Sequence, residues 1–360
     1  MTRPLPREDL RSLSGYHSPQ LDVAIRLNTN ESPFAPPPAF VDAWLNELRA
    51  VHLNRYPDRS AGALRAAIAS HVAQPPDRLF AANGSNEVLQ TLLLTYGGPG
   101  RRALVFEPTY ALHAHIARIT GTRIVTGYRG DDFRIDVKDA RVLIQAEQPD
   151  VVFVCSPNNP SGTVEAPETI EAILDAAPGV VIVDEAYGEF APESALDLVS
   201  EDRALVVSRT FSKVWSLAAL RLGFVIGPSW IISELDKVVL PYHLDAATQT
   251  AGRLALDYTA EMERRVGHLV EERDRMFVAL GDLTGVEVFP SGANFLLFRC
   301  TGGGGGRRVW ESLVDRGILV RDFSSWPGVE DCLRVTVGTA AENDAFLSAL
   351  AAALRESERS

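Results

Sequence analysis

No apolar run in this sequence reaches the roughly 18 residues that a membrane-spanning helix needs, so no membrane partner is expected. The opening residues 1–13 have no apolar core behind their basic groups, so no secretory leader is expected. Cysteine is scarce. Cys155, Cys300 and Cys332 are an odd number at wide spacing, which excludes a disulfide framework and fits a reduced, cytoplasmic chain. Positive charge is also short, with 35 Lys and Arg against 47 Asp and Glu, a formal net charge of −12. A field of that sign disfavours non-specific binding to nucleic acid. An anionic substrate must then be held by a local group of Arg and Lys. Histidines do not cluster. His113 and His115 are two apart, so on a helix they face different sides, and no metal is expected. With no GxSxG elbow and no Cys–His signature, hydrolase chemistry has little support.

What is present is ordinary for a soluble globular protein: 46% hydrophobic and 23% charged residues over 360 positions, enough for about two domains. Ser32 to Pro38 is too rich in Pro for a helix interior and reads as extended. Helices are expected at Ala39–Ala50 and Ala61–Val72. Short apolar runs follow at 103–106, 151–155, 180–183, 205–207 and 224–226, with helical stretches between several of them. That alternation predicts a large, mostly parallel sheet covered on both faces, an α/β fold. A charged helical region, Thr248–Leu283, leads to a second, smaller α/β unit. The expected division is an N-terminal arm over 1–30, a large domain over 31–250 and a small C-terminal domain over 251–360. The run Gly302–Gly306 matches no phosphate-binding spacing and reads as a flexible connector.

Four pieces fall at the ends of the apolar runs. Gly84-Ser85-Asn86 opens a helix, where Gly allows close approach and amides favour an anion, although a simple N-cap explains it equally. Ser156 to Gly162 reads SPNNPSG, by itself a turn, and carries Asn159. Asp184 ends a very apolar run, three residues before Tyr187, where a carboxylate is costly unless it meets a cation. Ser208 to Lys213 follows another run, with Arg221 beyond it, and Lys213 stands in apolar surroundings that lower an amine's pKa.

Each piece is weak alone, but together they lie at strand carboxyl ends of one parallel sheet, where open α/β folds bind ligands. The requirements they meet are those of pyridoxal phosphate. Its aldehyde needs Lys213 and its ring nitrogen needs a carboxylate, Asp184. Its phenolic oxygen needs donors, Tyr187 and Asn159. Its phosphate needs amides, hydroxyls and a guanidinium, here Ser85, Asn86, Thr210, Ser212 and Arg221. Tyr110 is suited to stack on the ring.

With these residues in place, the sequence resembles the fold-type I pyridoxal-phosphate aminotransferases, most closely the histidinol-phosphate branch. The likeness spans nearly the whole chain, through Leu27-Asn28-Thr29-Asn30-Glu31, Arg55-Tyr56-Pro57, DEAYGEF from Asp184, Phe211-Ser212-Lys213, Val320-Arg321-Asp322 and LRVTVGT from Leu333. It implies transamination between L-histidinol phosphate and 2-oxoglutarate in histidine biosynthesis. A broad aromatic aminotransferase and an L-threonine-phosphate decarboxylase remain the alternatives. It further implies that Lys213, Asp184 and Tyr187 are catalytic, and that Arg334 grips an α-carboxylate. Tyr16, Asn30 and Arg321 are implied to line the substrate end. Tyr56 is implied to reach the cofactor phosphate of a second subunit, in a homodimer. Without the resemblance, Arg321 and Arg334 read equally as strand-surface arginines. One departure stands out: Arg321 is followed by Asp322-Phe323-Ser324-Ser325-Trp326, bulkier than the family pattern.

Overall fold

The run Val151–Cys155 has no polar position, and every residue of it is buried. Val152 and Val154 enter one apolar cluster, Val151 and Phe153 another, so this strand is covered on both faces. The structure, a computed structural model, describes residues 3–11, 13, 15, 19–302 and 304–357.

Strand β1 (Ile25–Leu27) leads through the proline-rich segment to helices α1 (Pro38–Leu48) and α2 (Gly62–His71). Pro38 is the first residue of α1, a position that needs no amide donor. Next come β2 (Leu79–Ala82), β3 (Arg102–Glu107), β4 (Arg123–Tyr128), β5 (Val151–Cys155), β6 (Val180–Asp184), β7 (Leu205–Thr210) and β8 (Gly223–Ile226). Between and after them run α3 (Ser85–Tyr96), α4 (Leu112–Ile119), α5 (Val137–Glu147), α6 (Pro167–Ala176) and α7 (Ser229–Val238). Among the described residues the larger sheet has the order β2-β8-β7-β6-β5-β3-β4. Its pairs are parallel except those made by β8, which runs against both β7 and β2. The mostly parallel sheet is therefore as expected. Strands β2 and β4 were not foreseen: β4 alternates polar and apolar positions at the sheet edge and lacks an unbroken apolar run.

The region expected as one helical stretch is two helices, α8 (Ala246–Ala255) and α9 (Thr259–Gly281), with a 3-10 turn at Leu256–Tyr258 between them. Tyr258 turns its ring edge-on to Phe40 of α1, centroids 5.9 Å apart. Helix α8 packs on α1 and α2, while α9 packs against the smaller sheet and the C-terminal helix. The expected division at residue 250 thus falls within α8. The smaller unit adds β9 (Val286–Val288), β10 (Phe295–Cys300), α10 (Gly305–Asp315), β11 (Ile318–Asp322), β12 (Cys332–Thr336) and α11 (Ala340–Ser357). Its sheet runs β1-β11-β12-β10-β9, so an N-terminal strand completes it, parallel to β11.

The glycine run is more than a connector. Gly305 and Gly306 begin α10, and a Cβ on either would fall 2.6 Å from an atom of Asp331. Gly306 donates its amide to the Asp331 carboxylate at 2.9 Å. The lack of side chains there is what lets the helix start against that loop.

Candidate active site

A cavity of about 350 Å³ opens at the carboxyl ends of β5, β6 and β7 and the start of α3. The four sequence pieces meet in it: Ser85, Asn86, Tyr110, Asn159, Asp184, Tyr187, Thr210, Ser212, Lys213 and Arg221 all line its wall.

One end is built for an anion. Gly84 precedes α3 with φ 80 and has no side chain to cap the helix. A Cβ there would lie 2.6 Å from Arg221 Nη2, so the bare backbone and this guanidinium share one small space. Thr210 and Ser212 hydroxyls are 3.0 Å apart, and Arg221 donates to Ser212 Oγ at 3.4 Å. Helix dipole, hydroxyls and guanidinium thus converge.

The cavity's middle is acidic. Asp184 is only 2% exposed. One carboxylate oxygen accepts from His113 Nε2 at 2.8 Å, the other from Ser208 Oγ and the Ala186 amide, each at 3.2 Å. His113 stacks on Phe153 with centroids 4.6 Å apart and meets the edge of Tyr110 at 5.4 Å. Tyr187 Oη accepts from Asn30 Nδ2 at 2.9 Å and Asn159 Nδ2 at 3.5 Å. Burial pushes its phenol up to about 12, so it stays protonated. Tyr110, half-buried, donates to Asn86 Oδ1 at 3.3 Å.

Lys213 Nζ donates to the Thr29 carbonyl at 3.0 Å and stands 5.6 Å from the Tyr187 ring. Desolvation first, and then the positive charges of Arg334 and Arg221, draws its amine down to about 7, against a partial counter-effect from Glu31. Near pH 7 a large fraction of this lysine is therefore neutral.

The segment after β1 closes the site from the smaller unit. Asn30 is fixed by Thr336, its amide donating to Thr336 Oγ1 at 3.0 Å. Arg334 of β12 donates from Nη1 to Asn159 Oδ1 and from Nη2 to the Asn28 carbonyl at 3.0 Å. Arg321 lies directly opposite Arg334 across β11 and β12, and both side chains are buried. Neither arginine is among the residues lining the cavity; Arg334 touches it through Asn159. Tyr56 is elsewhere: 79% exposed, it stacks on Tyr242 at 4.4 Å on the surface. Tyr16 lies outside the described residues.

Sequence reasoning missed three contributors. His113 was weighed only against His115, while its partner Asp184 is 71 positions away. Cys155 also lines the cavity, and burial and then Asp184 push its thiol up to about 12, so it is no nucleophile. His113, Cys155 and Asp184 bring a nitrogen, a sulfur and an oxygen within 4.8 Å of one another. Glu31 lines the cavity too, and its place in the Asn28–Glu31 motif was the available signal.

These residues fit pyridoxal phosphate. The anion cradle sets the Gly84 backbone, at a φ that favours glycine, directly against the Arg221 guanidinium, a buried carboxylate stands mid-cavity, and a lysine of lowered basicity projects into the same space.

A family model described as aminotransferase class I and II matches residues 22–350. The histidinol-phosphate aminotransferase of Rhodococcus opacus is 46% identical over 354 residues, 95% of this chain and 91% of that protein. That of Corynebacterium efficiens is 44% identical over 356 residues, 96% of this chain and 94% of that protein. The crystal structure of histidinol-phosphate aminotransferase from Sinorhizobium meliloti in complex with pyridoxal-5'-phosphate shares the fold, with a TM-score of 0.89 at 24% identity over 97% of each chain.

Proposed function

The chain belongs to the aminotransferase class I and II family, and from that premise we propose that it moves an amino group between L-histidinol phosphate and 2-oxoglutarate, in histidine biosynthesis. The observation that carries this choice of donor is the cross-strand pair Arg321–Arg334, two buried guanidiniums on one sheet face. Two such forks suit a phosphoester and also accept a carboxylate.

Pyridoxal phosphate, when bound, supplies an aldehyde that exchanges amines and a protonated ring that accepts the electron pair left as a substrate carbon loses its proton. The chain's own residues do the rest. The first turn of α3, Thr210, Ser212 and Arg221 grip a phosphate group. Asp184, held on one side by His113 and on the other by Ser208, keeps a proton on an aromatic nitrogen. Tyr187 and Asn159 donate to a phenolic oxygen, and Tyr110 stacks. Lys213 Nζ, its basicity lowered by burial, accepts a proton from one carbon and returns it to a neighbouring one. Arg334, which meets the cavity wall at Asn159, and Arg321 opposite it anchor the anionic end of the substrate together with Asn30, and Tyr16 is assigned to that end by resemblance alone.

The working unit in this reading is a homodimer. The exposed Tyr56–Tyr242 stack supports it, with Leu53 93% and Leu240 76% exposed close by in sequence. Tyr56 then serves the site of the second copy. An arm over 1–30, a cofactor-binding unit over 31–250 and a smaller unit over 251–360 belong to the same reading; the two sheets support a larger and a smaller unit, with β1 of the arm joined to the smaller. So does a cytoplasmic location, supported by three free, buried thiols. No described helix is long and apolar enough to cross a membrane.

The test is a panel of donors with purified, cofactor-loaded protein. Histidinol phosphate with 2-oxoglutarate should give glutamate far faster than phenylalanine does. Equal use of phenylalanine favours the broad aminotransferase, and carbon dioxide release from threonine phosphate favours the decarboxylase.

A further inference from the structure

Phe323 directly follows β11 and its amide still pairs with the Cys332 carbonyl, so the alternation of the strand carries on to it and Arg321 and Phe323 project the same way. Arg334 is the cross-strand partner of Arg321 and adds its guanidinium to that face. Phe323 is the ring the two share: the Arg334 guanidinium carbon is 5.4 Å from its centroid and that of Arg321 5.8 Å, while Arg334 also lies 5.0 Å from the Phe295 ring. Like charges placed directly opposite one another in a sheet repel. An aromatic face attracts a cation, the more so when desolvated. Phe323 therefore opposes the drift of the two arginines apart.

The ring itself is fixed. It is 5% exposed and packs with Phe133, Leu297, Val329 and Cys332 in a small cluster separate from the main cores. The Phe323 amide donates to the Cys332 carbonyl at 3.1 Å, and Trp326 meets the ring edge-on at 5.0 Å. The bulky loop that departs from the family pattern is thus the floor beneath the paired arginines.

We propose that Phe323 is a specificity-determining residue: an aromatic platform that holds Arg321 and Arg334 side by side so that the pair receives a dianionic phosphoester. The proposal rests on the histidinol-phosphate reading above. A phosphoester presents three oxygens and uses two guanidinium forks together, whereas a carboxylate is satisfied by one. Loss of the platform then weakens the phosphorylated donor and spares the dicarboxylate acceptor.

Phe323→Met keeps volume and apolarity and removes the ring; Phe323→Tyr keeps the ring. In Phe323→Met the KM for histidinol phosphate should rise about tenfold, with kcat and the KM for 2-oxoglutarate within about twofold of the parent. Phe323→Tyr should match the parent in all three. Inhibition by glycerol 3-phosphate, a phosphoester without an amine, should weaken in Phe323→Met, while inhibition by glutarate should not. Should Phe323→Met fail to fold, Phe323→Leu carries the same comparison. An equal rise for donor and acceptor, no rise for either, or a Phe323→Tyr enzyme as impaired as Phe323→Met overturns the platform role. A parent enzyme that does not turn over histidinol phosphate overturns the functional reading, and this proposal with it.

Discussion

His113 Nε2 lies 2.8 Å from Asp184 Oδ2, and both side chains are sealed from water. A carboxylate accepts, so Nε2 is the donor of this bond, and Nδ1 has no hydrogen-bond partner among the described residues. The histidine is a positioning residue. Asp184→Asn should keep the fold and lower kcat by on the order of 10³, because an amide does not hold a ring proton. His113→Phe keeps the stack on Phe153 and removes one charged hydrogen bond, so its loss should be smaller, about tenfold to a hundredfold. Equal losses in the two variants, measured with saturating cofactor, would contradict this order.

Lys213 is one of three lysines in the chain, with Lys138 and Lys237, both on helix surfaces. Borohydride reduction of the cofactor-loaded protein followed by peptide mass spectrometry should place the adduct on Lys213. Lys213→Ala should abolish transamination yet still retain cofactor through the phosphate cradle. An adduct on either other lysine refutes the assignment.

The lowered basicity of Lys213 sets a pH dependence. Only the neutral amine attacks an aldehyde, so cofactor uptake by the apoprotein should reach half its maximal rate near pH 7, well below the ordinary lysine value of 10.5. Between those two values the unfolded chain binds a proton that the folded chain lacks. Apoprotein stability from this group therefore rises with pH across that window and is flat below it. Stopped-flow absorbance against pH measures the first effect, and denaturant midpoints of parent and Lys213→Ala the second. A half-maximal rate near 10 would show an ordinary lysine.

Tyr56 stands on the surface, away from its own cavity. Mixing Tyr56→Phe with Lys213→Ala subunits should therefore restore activity above that of either variant alone, since one site per mixed dimer recovers both groups. Sedimentation should show a dimer. Full activity in a verified monomer would remove the need for a second copy.

Arg334→Lys keeps charge and loses the fork, so both half-reactions should weaken. Arg321→Ala should weaken the phosphorylated donor by on the order of 2–5 kcal/mol, the usual penalty for losing a buried charge partner. Its effect on phenylalanine should be much smaller. Steady-state kcat/KM for the two donors decides the matter, and equal losses would remove Arg321 from phosphate recognition.

Strands buried on both faces, such as β5, were legible because their apolar runs are unbroken. Asp184 and Lys213 were legible for the opposite reason: they are polar residues placed where such runs stop. Strand β1 was not, since three residues carry no period and its partner β11 lies at the far end of the chain. His113 was hidden likewise, because a bond across 71 positions leaves no local trace. The platform was partly visible. Alternation alone places Arg321 and Phe323 on one face, but only the register with β12 brings Arg334 beside them.

The pairing of β1 with β11 has a consequence for dissecting the chain. A C-terminal fragment starting after α8 would carry four strands of the smaller sheet and leave the β11 edge with bare amides and carbonyls, a template for self-association. During synthesis β1 emerges first and its neighbour near the end, so that edge is completed only when almost all of the protein exists. Trimming the N-terminus through residue 30 would remove more than an edge strand. It would take away the carbonyl that Lys213 donates to and the amide that reaches Tyr187, so damage at the start of the chain would be felt first at its reactive centre.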